Sequence, residues 1–257
     1  MLMLFNKIVY GPIHSRRLGT SLGVNLLPTH AKVCTFDCIY CECGWNKPIL
    51  HPTLPTFAQV HSELEKTLKE LKEQCVDLDV ITFSGNGEPT LHPEFLEIIQ
   101  DTCKLRSIYC PNAKVSVLSN ATQLARKDVV EALCLCDNRI LKLDSAIDKT
   151  MQRIDQPLNK SLTVDQIVNS LQVFKGDFTL QTCFLQGDID GVEIDNTTPQ
   201  ELQAWYKVVN LLNPKQIMIY VIDRATPLQS INKVPAEKMN HIAQQLRQHG
   251  FNVIVSI

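Results

Sequence analysis

The sequence predicts an α/β fold in which parallel strands alternate with helices and curl into a partial, open (βα)6 barrel. Three observations carry that expectation. Short apolar runs rich in β-branched residues recur along the chain, and helical stretches with their own start and stop signals separate them. The unusual polar residues gather where those runs end.

The first run, 22–27, leads into the cysteine-rich stretch 34–43. Thr56 and Gln59 then form a capping box, after which Phe57, Val60, Leu64, Leu68 and Leu71 recur at helical spacing. Run 79–83 is followed at once by Ser84-Gly85-Asn86-Gly87-Glu88-Pro89, and Pro93 opens the next helix. Run 114–118 ends on Ser119-Asn120, and run 139–143 contains Lys142 and leads to Asp144-Ser145. Thr163 and Gln166 make a second capping box, in a helix that Gly176 closes. Run 178–184 carries Gln181 and Cys183, with Gln186-Gly187 just beyond it. Thr198 with Pro199 and Glu201 starts another helix. Run 216–222 passes into Asp223-Arg224, Pro235 opens the last helix, Gly250 stops it, and run 252–255 closes the series.

A helical crossover returns the chain to the same strand direction, so this alternation builds a parallel sheet whose strands are apolar on both faces. Six units and a closing strand are too few for a full eight-stranded barrel. With no linker, low-complexity tract or longer repeat, residues 1–257 are expected to form a single domain. Parallel sheets bind ligands at the C-terminal ends of their strands, which is where the polar clusters fall, so the pattern points to an enzyme or a cofactor binder.

Hydrophobic residues make up 44% of the chain and charged residues 20%, a globular balance that can bury a core without staples. The net charge of −2 argues against an overall basic field for nucleic acid. The first ten residues lack the charged region and cleavage site of a signal peptide, and no apolar run approaches the roughly 18 residues that span a bilayer. Ten cysteines, one tight group and several scattered, do not resemble the framework of a small secreted domain. A reduced, cytoplasmic protein without a membrane partner is the expectation.

Cys34-x3-Cys38-x2-Cys41 offers three thiolates on one short loop, the soft ligands an iron–sulfur cluster requires. Three ligands leave a fourth iron open to a small molecule. A structural zinc site completed by Cys43 or His51 is the alternative, but zinc loops usually come as two paired arms. Cys75, Cys103, Cys110, Cys134 and Cys136 read as small hydrophobes, and His14 and His92 as loop or cap residues.

The CxxxCxxC loop with Tyr40 before its last cysteine resembles the radical S-adenosylmethionine superfamily, and Gly87-Glu88-Pro89 is similar to that superfamily's GGE-type motif. Strand order and motif positions agree over essentially the whole chain. More narrowly, the segment from Gly11-Pro12-Ile13-His14-Ser15-Arg16-Arg17-Leu18-Gly19 to Ser21-Leu22-Gly23-Val24 resembles the group related to wyosine synthases of tRNA modification.

The resemblance implies a 4Fe–4S cluster held by Cys34, Cys38 and Cys41. S-adenosylmethionine would chelate the open iron and be cleaved reductively to a 5′-deoxyadenosyl radical that abstracts hydrogen from a substrate. Carried over by position, Glu88 would accept the methionine ammonium, with Gly85 and Gly87 letting the backbone approach closely. The Tyr40 backbone would meet the adenine edge. Ser119, Asn120 and Asp144 would serve the ribose or the methionine carboxylate. Strand alternation puts Lys142 on the face of Asp144, inward, and Gln181 on one face with Cys183, making Lys142 and Gln181 further cofactor-binding candidates. An electron donor such as a flavodoxin or ferredoxin is implied. The substrate stays open among small molecule, peptide and RNA. The alternatives are a wyosine-synthase-like enzyme acting on tRNA, an activase for a glycyl-radical protein, and a non-catalytic zinc or iron–sulfur binding protein. Wyosine synthases are expected to carry a second cluster on additional N-terminal cysteines. No cysteine precedes Cys34 here, and 25 basic residues balance 27 acidic ones, so a single cluster and a substrate other than tRNA are expected.

Overall fold

A computed structural model describes residues 3–48 and 52–257 of the chain. They fall into two compact units, one made of residues 3–34 and 46–140, the other of residues 35–45 and 141–257.

The first unit opens with a hairpin, β1 (Val9–Ser15) antiparallel to β2 (Gly19–Val24). β2 then pairs in parallel with β3 (Val80–Phe83), and β3 in parallel with β4 (Lys114–Ser119). Between β2 and β3 runs α1 (Phe57–Glu73), started by the expected Thr56–Gln59 capping box and burying Val60, Leu64, Leu68 and Leu71. α2 (Phe95–Tyr109) and α3 (Lys127–Leu135) complete the unit, with α2 packed between α1 and α3. The apolar runs are strands because both faces are covered: Leu22, Val24, Ile81, Phe83, Val115 and Val117 are buried throughout.

The expected run 22–27 ends as a strand at Val24. Asn25 turns the chain there: its side-chain oxygen accepts the Leu27 N–H and its amide donates to the Leu27 carbonyl. Leu26 and Leu27 stay buried as core residues of a turn. β1 was not expected, because Gly11 and Pro12 interrupt its alternation.

β5 (Asn138–Lys142) starts in the first unit and ends in the second. The second unit continues with α4 (Asp148–Ile154) and α5 (Val164–Leu171), the latter on the expected Thr163–Gln166 capping box. β6 (Thr179–Ile189) outruns the expected 178–184. Its far half pairs antiparallel with β7 (Val192–Asp195) and, after α6 (Pro199–Leu212) and β8 (Gln216–Val221), with β9 (Ile231–Lys233). Asp190-Gly191 makes the β6–β7 turn with both residues at positive φ, the geometry that matches strand twist in a two-residue hairpin. α7 (Ala236–Gln248) and β10 (Val253–Ser256) finish the chain, and β6, β8 and β10 lie parallel in that order. Among the described residues the seven expected strands are all present, and the three additional strands pair antiparallel.

No described helix is long and apolar enough to cross a membrane.

Candidate functional site

In the first unit the Ser84–Pro89 loop follows β3 and carries Glu88, whose side chain is 2% exposed. Glu88 Oε1 accepts three bonds, from the Thr90 hydroxyl at 2.5 Å, the Ser119 hydroxyl at 2.8 Å and the Thr90 N–H at 3.2 Å. Oε2 accepts one, from the Asn120 N–H at 2.7 Å. All four partners are dipoles. Burial pushes the Glu88 carboxyl above its ordinary pKa, while the Asn120, Thr90 and Ser119 hydrogen bonds pull it back.

The glycines beside Glu88 are required by the chain itself. A Cβ on Gly87, at φ +138°, would stand 1.8 Å from the Val33 carbonyl oxygen. Val33 donates to the Asn86 carbonyl at 2.8 Å and accepts the Glu88 N–H at 3.1 Å, so this loop and the residue before Cys34 form a short bridge. Gly85 makes room for the Asn25 side chain in the same way. At both glycines the close approach is by groups of the protein itself, the Val33 backbone and the Asn25 side chain. Asn86 is fully buried and ties the loop to the N-terminal segment, accepting the Phe5 N–H and donating to the Phe5 and Pro28 carbonyls.

Cys34 is held from two sides. Asn46 clamps its backbone, accepting its N–H at 3.0 Å and donating to its carbonyl at 3.1 Å. The Asn120 amide donates to its sulfur at 3.6 Å. Glu88, Ser119, Asn120 and Cys34 are thus one connected set.

In the second unit residues 35–39 run beside the end of α4. Asp37 donates to the Asp155 carbonyl and Ile39 to the Ile154 carbonyl, and Phe36 bridges to Pro157. The Cys41 N–H bonds to the Cys38 carbonyl at 3.0 Å, a tight turn that sets these two cysteines three residues apart on one loop.

The Tyr40 hydroxyl donates to Asp144 Oδ2 at 2.5 Å, and the Lys142 ammonium pairs with the same oxygen at 2.5 Å and with Asp155. The ammonium also lies 5.4 Å from the Phe36 ring centre and 5.5 Å from the Tyr40 ring centre, within cation–π range. The other Asp144 oxygen accepts the Cys183 N–H at 2.8 Å. Burial and then the Asp144 charge hold the Tyr40 phenol well above its usual range. Burial opposes the Lys142 ammonium, but the Asp144 and Asp155 carboxylates outweigh it and raise its pKa well above the usual lysine value. The Asp155 carboxyl is pushed up to about 7, by burial first and by Asp144 against the pull of Lys142. Lys142 is accordingly a fixed cation, paired with both carboxylates.

Gln181 is the third residue of β6, with its carbonyl level with Leu143 (the Leu143 N–H donates to it at 2.9 Å) and its amide 3.3 Å from the Met218 sulfur. Tyr40, Lys142 and Asp144 come together, whereas Gln181 joins them only through the strand ladder. Asp155, Asn46 and Thr90 were not anticipated. None of the ten cysteines is in a disulfide. His92 fills a loop role, accepting the Glu94 N–H and bonding the Pro55 carbonyl. His51, the other candidate for a zinc set, lies outside the described residues.

Comparison with known proteins agrees with these motifs. Residues 29–179 match the family model of the radical SAM superfamily. A UPF0026 protein of Synechocystis sp. is 34% identical over 227 residues, covering 86% of this chain and 77% of its own. A UPF0026 protein of Helicobacter pylori is 30% identical over 225 residues, covering 87% of this chain and 68% of its own. A Brachyspira hyodysenteriae protein named GTPase Obg is 32% identical over 243 residues, 92% of this chain but only 33% of that protein. No Gly-x4-Gly-Lys-Ser/Thr phosphate loop stands in the present sequence.

Among solved structures, Streptococcus suis SuiB bound to S-adenosylmethionine aligns with a TM-score of 0.63 at 14% identity, over 90% of this chain and 50% of that one. TYW1 with a lysine–pyruvate adduct aligns at 0.62 and 15% identity, over 90% and 74%. These likenesses establish the fold, the expected α/β class with a mostly parallel sheet of radical SAM type. The family match makes the protein an enzyme of this class: the chain belongs to the radical SAM superfamily and to the UPF0026 family.

Proposed function

We propose that this enzyme binds S-adenosylmethionine at a 4Fe–4S cluster ligated by Cys34, Cys38 and Cys41, and acts on its substrate by hydrogen abstraction. The observation that carries this reading is Glu88. A carboxylate removed from water costs several kcal/mol unless a charge compensates it, and all of the partners of Glu88 are neutral dipoles. Oε2 takes a single bond and retains acceptor capacity for a cation. The methionine ammonium of S-adenosylmethionine is a cation of the right kind.

The donor chemistry fits the cluster. Among the described residues no three His, Cys, Asp or Glu side chains already stand in ligating positions. The assignment therefore rests on three soft thiols in one short stretch, the backbone clamp of Asn46 on Cys34, and the ties of residues 37 and 39 to the end of α4. When bound, the cluster and S-adenosylmethionine supply one-electron cleavage of a sulfonium C–S bond and removal of a hydrogen atom from the substrate. The protein's own part is positioning. Glu88 fixes the amino group, Ser119 and Thr90 fix Glu88, and the buried Lys142–Asp144–Asp155 set fixes the Tyr40 ring next to the cysteines.

Glu88→Gln tests the reading because it keeps the shape and removes the charge. Equilibrium binding of S-adenosylmethionine to the cluster-loaded protein should weaken by one to two orders of magnitude, about 1.5–3 kcal/mol, with iron content unchanged. Binding equal to the wild type would remove Glu88 from the site.

The resemblance of residues 11–24 to the wyosine-synthase group favours a second reading, modification of tRNA. The near balance of 25 basic and 27 acidic residues opposes it, since gripping folded RNA takes many phosphate contacts. A substrate other than tRNA is the reading adopted.

A further inference from the structure

We infer that Asn120 is a positioning residue for the cluster, whose side-chain amide donates a hydrogen bond to the Cys34 sulfur and thereby raises the cluster's reduction potential. The inference rests on the reading of Cys34 as a cluster ligand.

The orientation of the Asn120 amide follows from its partners. Its oxygen accepts the Thr122 N–H at 3.1 Å and the Thr122 hydroxyl at 2.8 Å. A backbone N–H can only donate, so the oxygen must face Thr122 and the NH2 group must face the sulfur, 3.6 Å away. The turn that presents the amide is held in an unfavourable shape. Ala121, a buried non-glycine residue, sits at φ +64°, with its N–H donated to the Ser119 hydroxyl at 3.0 Å. A side chain tolerates that region only where its surroundings enforce it, and such strain gathers at functional sites.

A hydrogen bond donated to a thiolate ligand withdraws negative charge from the sulfur. The reduced cluster carries one more electron than the oxidised one, so the bond favours reduction and makes the cluster easier to charge. The same residue meets Glu88 through its backbone N–H, which a side-chain substitution leaves in place. Asn120 therefore links the carboxylate and the thiolate by two separable bonds.

The test is an anaerobic redox titration of the reconstituted full chain without S-adenosylmethionine, following the electron paramagnetic resonance signal of the reduced cluster. Asn120→Ala should keep its iron and titrate at a more negative midpoint than the wild type. Asn120→Asp, which replaces the donor with an anion, should shift further in the same direction. Thr122→Val removes the hydroxyl that orients the amide and should give a smaller shift of the same sign, which decides the matter if the Asn120 variants fail to load iron. Wild-type midpoints in loaded Asn120→Ala, or in Thr122→Val where Asn120→Ala does not load, overturn the inference while leaving the cluster assignment standing. A wild-type protein that takes up no cluster overturns both.

Discussion

Replacing Gly87 with alanine should separate the packing role of that glycine from its backbone conformation. The new Cβ would stand 1.8 Å from the Val33 carbonyl oxygen and 2.5 Å from its carbon, so the Val33 peptide must move. Moving it strains or breaks two backbone bonds, Val33 to Asn86 at 2.8 Å and Glu88 to Val33 at 3.1 Å, each contributing about 1 kcal/mol. Holding alanine at φ +138° costs on the order of 1 kcal/mol more. The total is roughly 3 kcal/mol. Gly191→Ala provides the control, since Gly191 also has positive φ (+80°) but nothing within 4 Å of its Cβ position, and only the conformational cost of about 1 kcal/mol should appear. Urea denaturation of the metal-free proteins under reducing conditions measures both. Because Val33 precedes Cys34, Gly87→Ala should also lose much of its iron after reconstitution. Equal stabilities for the two variants, within about 0.5 kcal/mol, would refute the claim that this glycine holds the cysteine loop against the Glu88 loop.

The remaining predictions concern the thiols, the buried charges and the substrate. Reconstituted wild-type protein should hold about four irons and four sulfides, and Cys34→Ala, Cys38→Ala or Cys41→Ala should lose most of them while Cys43→Ala should not; a loss in Cys43→Ala as severe as in the others would break the ligand assignment. The Asp155 carboxyl has its folded pKa raised to about 7, so its contribution is fully present below the unfolded aspartate pKa near 4 and is lost as pH rises through 7. Wild-type stability should therefore fall from this group as pH rises from about 4 to about 7, and Asp155→Asn should lack that slope in denaturation curves taken across the range. N1-methylguanosine-containing tRNA incubated with pyruvate, S-adenosylmethionine and reductant should remain unconverted, and a tricyclic base in the digest would restore the tRNA reading.

The parallel strands were legible because burial on both faces leaves short apolar runs such as 79–83 and 139–143 that few other structures share. The antiparallel β1, β7 and β9 were less so, since their exposed faces carry no apolar pattern; Asp190-Gly191 between Ile189 and Val192 was the one signal that could have revealed the β6–β7 hairpin. Glu88, Ser119 and Asn120 could be singled out because motifs and strand ends mark them. Asp155 could not, because it stands at the end of α4, where an acidic residue ordinarily faces water, and only the fold brings it to Lys142. Nor could Asn46, whose clamp on Cys34 spans twelve residues of loop, a separation that no local periodicity encodes.

The account stands most directly on whether this chain cleaves S-adenosylmethionine reductively. Protein reconstituted to about four irons, reduced with dithionite under anaerobic conditions and given S-adenosylmethionine without substrate, should release 5′-deoxyadenosine slowly but measurably. Cys38→Ala should release none. A fully loaded, reduced wild-type protein that yields no 5′-deoxyadenosine would contradict the account and leave a cluster-binding protein in its place.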